Sequence, residues 1–289
     1  MSKFEPEFDK ELPPIVFDTS VPAVGSLGLR IAGSLVKGLA VPFHALRPGW
    51  RRVVPEVFPA AQPSAQGKGD GEIPLVVWQT NFTDRCSWPM WMNVAHNRRL
   101  APEFEFRFVG QEAMERQMAK APPKVGKAFS RLASGAAQAD LWRLQTLYDF
   151  GGVYIDMDGT LVTPLARLLR GRRELLVADS LRFTQYFIAS APKNPLFLEF
   201  IDAVVDGIEH WEENGRKPVF WTTGPAALEP VLFRHPEIHF ARRGDVCRQG
   251  VFTNERFQYI DRPRGKWTHD KEFVRPAKRE GRVFAAADA

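Results

Sequence analysis

Apolar positions along the chain change period repeatedly, and the changes alternate strand with helix. Leu75-Val76-Val77-Trp78 is a short apolar run that predicts a strand, and Phe104 to Val109 predicts a second. Gln111 to Lys120 reads as a helix, stopped by Pro122-Pro123. From Ala136 to Phe150, the residues Leu141, Leu144, Leu147 and Tyr148 recur at three- and four-residue spacing, the one-sided stripe of a packed helix. Gly151-Gly152 closes it, because glycine accepts the left-handed backbone that ends a helix. Val153-Tyr154-Ile155 follows as a buried strand, β-branched and aromatic. Leu175 to Ala178 predicts another strand, and Asn194 to Glu209 a helix with Phe197, Phe200, Ile201, Val204 and Ile208 on one face. Such alternation predicts an open α/β sheet, in which ligands bind beyond the strand ends.

The first seventy residues follow no such rhythm. Nine prolines between Pro6 and Pro63 should break any long element. From Leu27 to Leu46 the chain is rich in glycine, alanine and leucine, with Arg30, Lys37 and His44 its ionisable interruptions. That composition suits either an interfacial amphipathic helix or an irregular arm around the next domain. Gln62 to Gly71 reads as a polar, glycine-rich linker. The expected organisation is therefore an extension over residues 1–71 and an α/β domain over 72–289 with a basic tail.

The chemistry concentrates after the double glycine. Asp156 and Asp158 stand at the end of the predicted strand with the same parity, so on a continued strand both face one side. Two adjoining carboxylates repel unless a cation or proton intervenes, and oxygen ligands suit Mg2+ or Mn2+. The plainer alternative is a turn made by Asp158-Gly159. Asp140 and Arg143 border the buried stripe of the preceding helix, as a simple i,i+3 ion pair or as part of the same site.

The run from Ala136 to Leu165 resembles the sugar-binding region of the D-x-D glycosyltransferases, with Ala139-Asp140, Arg143, Gly151-Gly152, Tyr154, Asp156, Asp158 and Pro164 in the family's order. It is most similar to glycosyltransferase family 32. Ile73-Pro74-Leu75-Val76-Val77-Trp78-Gln79-Thr80 resembles the family's first strand, and Thr223-Gly224-Pro225 a later anchor. The resemblance implies a GT-A (Rossmann-like) fold and metal-dependent transfer, with retention, from a UDP- or GDP-linked sugar to a surface-glycan or lipid-linked acceptor. It implies that Asp158 binds Mn2+ or Mg2+ with Asp156 beside it. It also implies that Asp140, Arg143 and Tyr154 hold the donor, and that Trp78, Gln79 and Thr80 meet its base. His269, in Lys266-Trp267-Thr268-His269-Asp270, is the candidate third metal ligand, and Gln185-Tyr186 with Trp221 to Gly224 are candidate acceptor contacts.

Ile155-Asp156-Met157-Asp158-Gly159-Thr160-Leu161 also fits the nucleophile loop of haloacid-dehalogenase-type phosphatases. That chemistry needs a downstream acidic pair, and Gly244-Asp245 is followed by no second acid. A non-catalytic sugar-nucleotide-binding subunit is a third reading, disfavoured by the intact Asp140, Arg143, Asp156 and Asp158.

Composition adjusts this picture only slightly. The chain of 289 residues is 44% hydrophobic and 12% aromatic, enough for a sizeable core. Its two cysteines, Cys86 and Cys247, lack metal-ligand spacing or a disulfide framework. Met1 to Lys10 is acidic without an apolar run, so a cytoplasmic protein is expected. The net charge of +5 gathers near the C-terminus, from Arg262 to Arg282. This suits either a solvated basic tail or peripheral contact with an anionic membrane at its inner face, and not nucleic acid.

Overall fold

The computed structural model describes residues 15–23, 25–64, 71–179, 182–262, 268 and 272–276. The N-terminal extension supplies helix α1 (Leu27–Leu46) and the short strands β1 (Arg52–Val53) and β2 (Val57–Phe58). Next come β3 (Val76–Thr80), β4 (Arg85–Cys86), α2 (Trp88–Leu100), β5 (Glu105–Val109), α3 (Gln111–Met118), α4 (Pro123–Arg131) and α5 (Gly135–Phe150). The site-bearing segment continues through β6 (Gly152–Ile155), β7 (Gly159–Leu161), α6 (Leu165–Leu169), β8 (Glu174–Ala178) and β9 (Phe183–Ser190). Helices α7 (Pro195–Glu209), α8 (Val219–Thr222) and α9 (Pro225–Leu232) precede β10 (Phe240–Arg242), α10 (Arg243–Val246), β11 (Cys247–Gln249) and α11 (Glu255–Gln258).

Seven strands form one sheet in the order β10-β8-β9-β6-β3-β5-β2. β3 pairs parallel with β5 and β6, and β10 parallel with β8; β9 and the edge strand β2 run against their neighbours. A mostly parallel sheet must be covered on both faces. One face packs a cluster that includes Trp142, Leu144, Phe197, Phe200 and Val204, from α5 and α7. The other packs Phe104, Leu161, Leu165 and Leu168, largely from α6 and the β5 entry. The predicted α/β sheet is thus present, with strand ends within a residue or two of expectation.

Three expectations change. Pro42 lies inside the 20-residue α1, so the prolines do not break that segment. The residue one turn earlier, Gly38, is exposed and has no side chain, so its freed carbonyl can face water. Pro122-Pro123 does more than stop α3, because Pro123 occupies the first turn of α4, where its missing N–H costs nothing. Residues before Gly71 are also built into the sheet: β2 extends one edge, and Phe17 bridges to Phe240 at the other.

His44 on α1 is buried and accepts the Trp88 backbone N–H at 3.3 Å, while His96 on α2 contacts the Leu161 carbonyl at 2.9 Å. Burial pushes both imidazoles below their ordinary value of 6.5. The neutral rings therefore give full stability above pH 6.5, lost as pH falls from there through their depressed folded-state values. The melting temperature should drop as the pH falls below 6.5, and His44→Gln or His96→Gln should flatten that slope in thermal scans.

Candidate active site

Helix α5 delivers two charges into the interior. Asp140 and Arg143 lie 8% and 6% exposed, and Arg143 Nη2 meets Asp140 Oδ1 at 3.0 Å. Burial pushes the Asp140 carboxyl up, against the pull of Arg143 and of the Thr223 hydroxyl, which donates to Oδ2 at 2.8 Å. Arg143 Nη1 donates to the Gln185 carbonyl at 2.9 Å and approaches Asp156 Oδ1 at 3.7 Å. Its guanidinium stacks over the Tyr154 ring, 4.2 Å from the centroid. The Tyr154 hydroxyl, pushed well up by burial, donates to Asp156 Oδ1 at 2.6 Å. One connected network therefore ties α5, β6, β9 and the end of α8, and the plain surface ion pair is excluded by burial.

The two aspartates do not continue the strand. β6 ends at Ile155, and the Gly159 N–H donates to the Asp156 carbonyl at 2.8 Å, closing a turn over Asp156-Met157-Asp158-Gly159. The strand-parity argument is thus corrected, since Asp158-Gly159 supplies turn chemistry. The glycine is required, because a Cβ there would meet Ile155 Cγ2 at 2.9 Å. Asp158 remains half-buried, accepting from Gln249 Nε2 at 3.3 Å, and burial with the neighbouring Asp156 pushes its carboxyl up to about 7. Gln249 arrives because β11 pairs antiparallel with β7, placing it opposite Gly159.

Two residues that sequence reasoning missed hold this turn. Asn93 and Asn97, one turn apart on α2, are both wholly buried. Asn93 Nδ2 donates to the Met157 and Gly159 carbonyls at 2.8 Å, and its Oδ1 accepts from Thr160. Asn97 Nδ2 donates to Gly159 at 2.7 Å, and its Oδ1 accepts the Leu161 N–H at 2.8 Å. Two amides at i,i+4 on a helix are the signal that could have found them. Replacing Asn93 with Ala strands two buried groups, the Met157 carbonyl and the Thr160 hydroxyl, at about 1–3 kcal/mol each, while the Gly159 carbonyl keeps Asn97. A urea midpoint shift of that size, together with a weakened active-site turn, is the expected result.

The remaining predicted residues fall as follows. Trp78 is 7% exposed, with its indole N–H donating to the Gly151 carbonyl at 2.9 Å, a contact that braces the double glycine. Gly152 has φ +104°, and a Cβ there would meet the Val76 carbonyl at 2.7 Å, so the close approach demands glycine. Gln79 is buried, its Nε2 3.5 Å from the Ile155 carbonyl, and the Thr80 hydroxyl donates to Val109 O at 2.6 Å. His269 lies outside the described residues. Among those described, no third histidine, cysteine or carboxylate joins Asp156 and Asp158. The donor set for a divalent ion is still chemically apt: two carboxylates on one turn, one held above its ordinary range by burial and then by the other's charge. Gln185 adds an unexpected feature. Its Oε1 is buried without a hydrogen-bond partner, beside the Thr223 carbonyl that Nε2 approaches at 3.4 Å.

No curated protein matches the chain. Among solved structures, similar ones include the PaToxG glycosyltransferase, at TM-score 0.44 and 14% identity over 72% of this chain and 80% of that one. The glycosyltransferase domain of the YGT toxin is also similar, ligand-free and UDP-bound. Its TM-score is 0.37 in both forms, at 12% and 13% identity, covering 52% of this chain and 54% of that domain. Residues 73–176 match the family described as the glycosyltransferase sugar-binding region containing DXD motif. That span holds β3, the Asp140–Arg143 pair, Tyr154 and the carboxylate turn, so the residues of the site fall within the part of the chain that matches a glycosyltransferase sugar-binding region.

Proposed function

We propose that the protein moves a sugar, with retention, from a nucleoside-diphosphate sugar to a surface-glycan or lipid-linked acceptor, with a divalent cation at Asp158 and Asp156. The observation that carries this reading is the buried network around the turn. Asp140, Arg143, Tyr154 and Asp156 are fixed against one another at the carboxyl end of β6, where a ligand of an α/β sheet belongs.

The network divides the work. Arg143 spends its fork on Asp140, on the Gln185 carbonyl and on the Ala139 carbonyl, so it positions the carboxylates. Asp140, aimed by Arg143 and Thr223, accepts hydrogen bonds from donor hydroxyls. Gln185 Oε1 is a second such acceptor, since a buried carbonyl oxygen without a partner gains a full hydrogen bond from a sugar hydroxyl. A cation bound at the turn would stabilise the charge that grows on the departing diphosphate. The acceptor hydroxyl attacks on the face the diphosphate leaves, the bond from C1 to the diphosphate oxygen breaks as the new glycosidic bond forms, and the acceptor's proton passes to that departing oxygen. This route needs no protein nucleophile.

A panel of UDP- and GDP-sugars, scored for nucleoside diphosphate release with Mn2+, with Mg2+ and with chelator, tests the reading. One donor should be consumed, and only with metal. Silence across the panel, combined with Asp156-dependent hydrolysis of a generic phosphate ester, would return the site to the phosphatase chemistry.

A further inference from the structure

Helix α1 presents two unlike faces. Inward, Gly33, Lys37, Ala40 and His44 recur at helical spacing. A Cβ at Gly33 would strike the Val251 carbonyl at 2.2 Å, and Lys37 Nζ donates to the Gly250 carbonyl at 2.9 Å. That close seating fixes which side faces out. Outward lie Leu27, Ile31, Leu35 and Leu39, 54–71% exposed, with Val41 and Leu46 beside them at 41% and 82%. Among exposed positions of α1 the one charge is Arg30, at the edge of this stripe. Apolar surface of this extent and continuity marks an interaction site on a water-borne protein.

What flanks the stripe tells what covers it. Between α1 and residues 243–251 opens a cavity of about 390 Å³ lined by Arg30, Lys37, Arg243 and Arg248, with no carboxylate in its lining. Gln249, also in its wall, hydrogen-bonds Asp158 at 3.3 Å, so the cavity adjoins the carboxylate turn. A leucine face bordered by four cations matches a bilayer surface, where acyl chains lie beneath anionic head groups. Among the described residues no helix is long and apolar enough to cross a membrane, so α1 would lie in the plane of the surface.

We propose that α1 docks the protein on an anionic phospholipid bilayer, its leucine face in the acyl boundary and a lipid phosphate in the Arg30–Lys37–Arg243–Arg248 cavity. The docked orientation turns the Asp158 turn toward the membrane, where a lipid-linked acceptor would present itself. Docking does not depend on sugar transfer, and its test needs no donor and no turnover.

Flotation of the full chain with phosphatidylcholine vesicles, and with vesicles containing phosphatidylglycerol, tests this. The protein should float with the anionic vesicles and far less with neutral ones. The triple variant Ile31→Gln, Leu35→Gln, Leu39→Gln should lose vesicle partition by about a hundredfold or more, because three exposed apolar side chains are removed from the contact. Arg30→Gln with Arg243→Gln should reduce binding to the neutral-vesicle level. All five replaced side chains are solvent-facing or partly so, and unchanged melting curves would show that docking and not folding was lost. If the triple variant melts early, single Leu35→Gln decides by the same readout. Three outcomes overturn the proposal. The first is a chain that stays unbound with every vesicle. The second is a dimer in vesicle-free gel filtration that the triple variant dissolves, which makes the face a contact between copies. The third is stabilisation by inorganic phosphate through Arg243 without binding to anionic vesicles, which makes the cavity a free-phosphate site.

Discussion

Asp158→Asn is expected to reduce metal-dependent consumption of the nucleoside-diphosphate sugar by about a thousandfold, since a bound cation supplies several kcal/mol to the transition state. The fold should survive the change intact. Asparagine keeps the shape and the turn, and it removes a carboxylate whose charge is disfavoured by burial and by Asp156. The metal-free variant should therefore melt no lower than the parent. Adding Mn2+ should raise the parent's melting temperature, because binding to the folded state alone stabilises it. The same addition should leave the variant unmoved. Asp156→Asn should behave differently, since Asp156 also anchors the Tyr154 hydroxyl and faces Arg143. It should lose activity and stability together. Full turnover by Asp158→Asn at saturating Mn2+ would sink the metal assignment.

How far the site could be read in advance follows from the range of its contacts. Helix α5, the glycine pair and strand β6 were legible because each is written locally, in apolar spacing, in a stop residue and in β-branched composition. Strand and turn both stay open for Asp156 to Gly159 in the sequence, because the turn is held by Asn93 and Asn97 from a helix some sixty residues earlier. Nothing near the motif announces them. Thr223 lies inside a recognised anchor, yet its hydrogen bond to Asp140 spans 83 positions and depends on α9 packing against β9 and on α7 packing between α9 and α5. Gln249 reaches Asp158 only through the pairing of β7 with β11. In the sequence, the glycines and Pro42 of α1 suit a helix and an irregular arm alike. What settles it is tertiary: Gly33 pressed on Val251, with Lys37 reaching the next carbonyl along.

The Asp140–Arg143 pair should show strong energetic coupling, measurable as a double-mutant cycle in urea. Arg143→Met leaves the Asp140 carboxylate buried without its cation, a change that costs about 3–5 kcal/mol. Thr223 still donates to Asp140, but one hydroxyl does not offset a buried charge. Asp140→Asn is milder. Arg143 keeps the Gln185 carbonyl, the Tyr154 ring and Asp156 at 3.7 Å, so its charge remains answered. About 1–2 kcal/mol is expected there, from the weakened bonds to a neutral amide. The double variant should be destabilised by less than the sum, by a coupling of about 1–3 kcal/mol, because Arg143→Met no longer strands a charge once residue 140 is neutral. Additive losses would mean that the two side chains act independently, and the pair would then be a packing accident of α5. Donor affinity separates the roles further. Asp140→Asn should weaken binding of the sugar nucleotide relative to the free nucleoside diphosphate, if Asp140 accepts hydrogen bonds from donor hydroxyls as proposed.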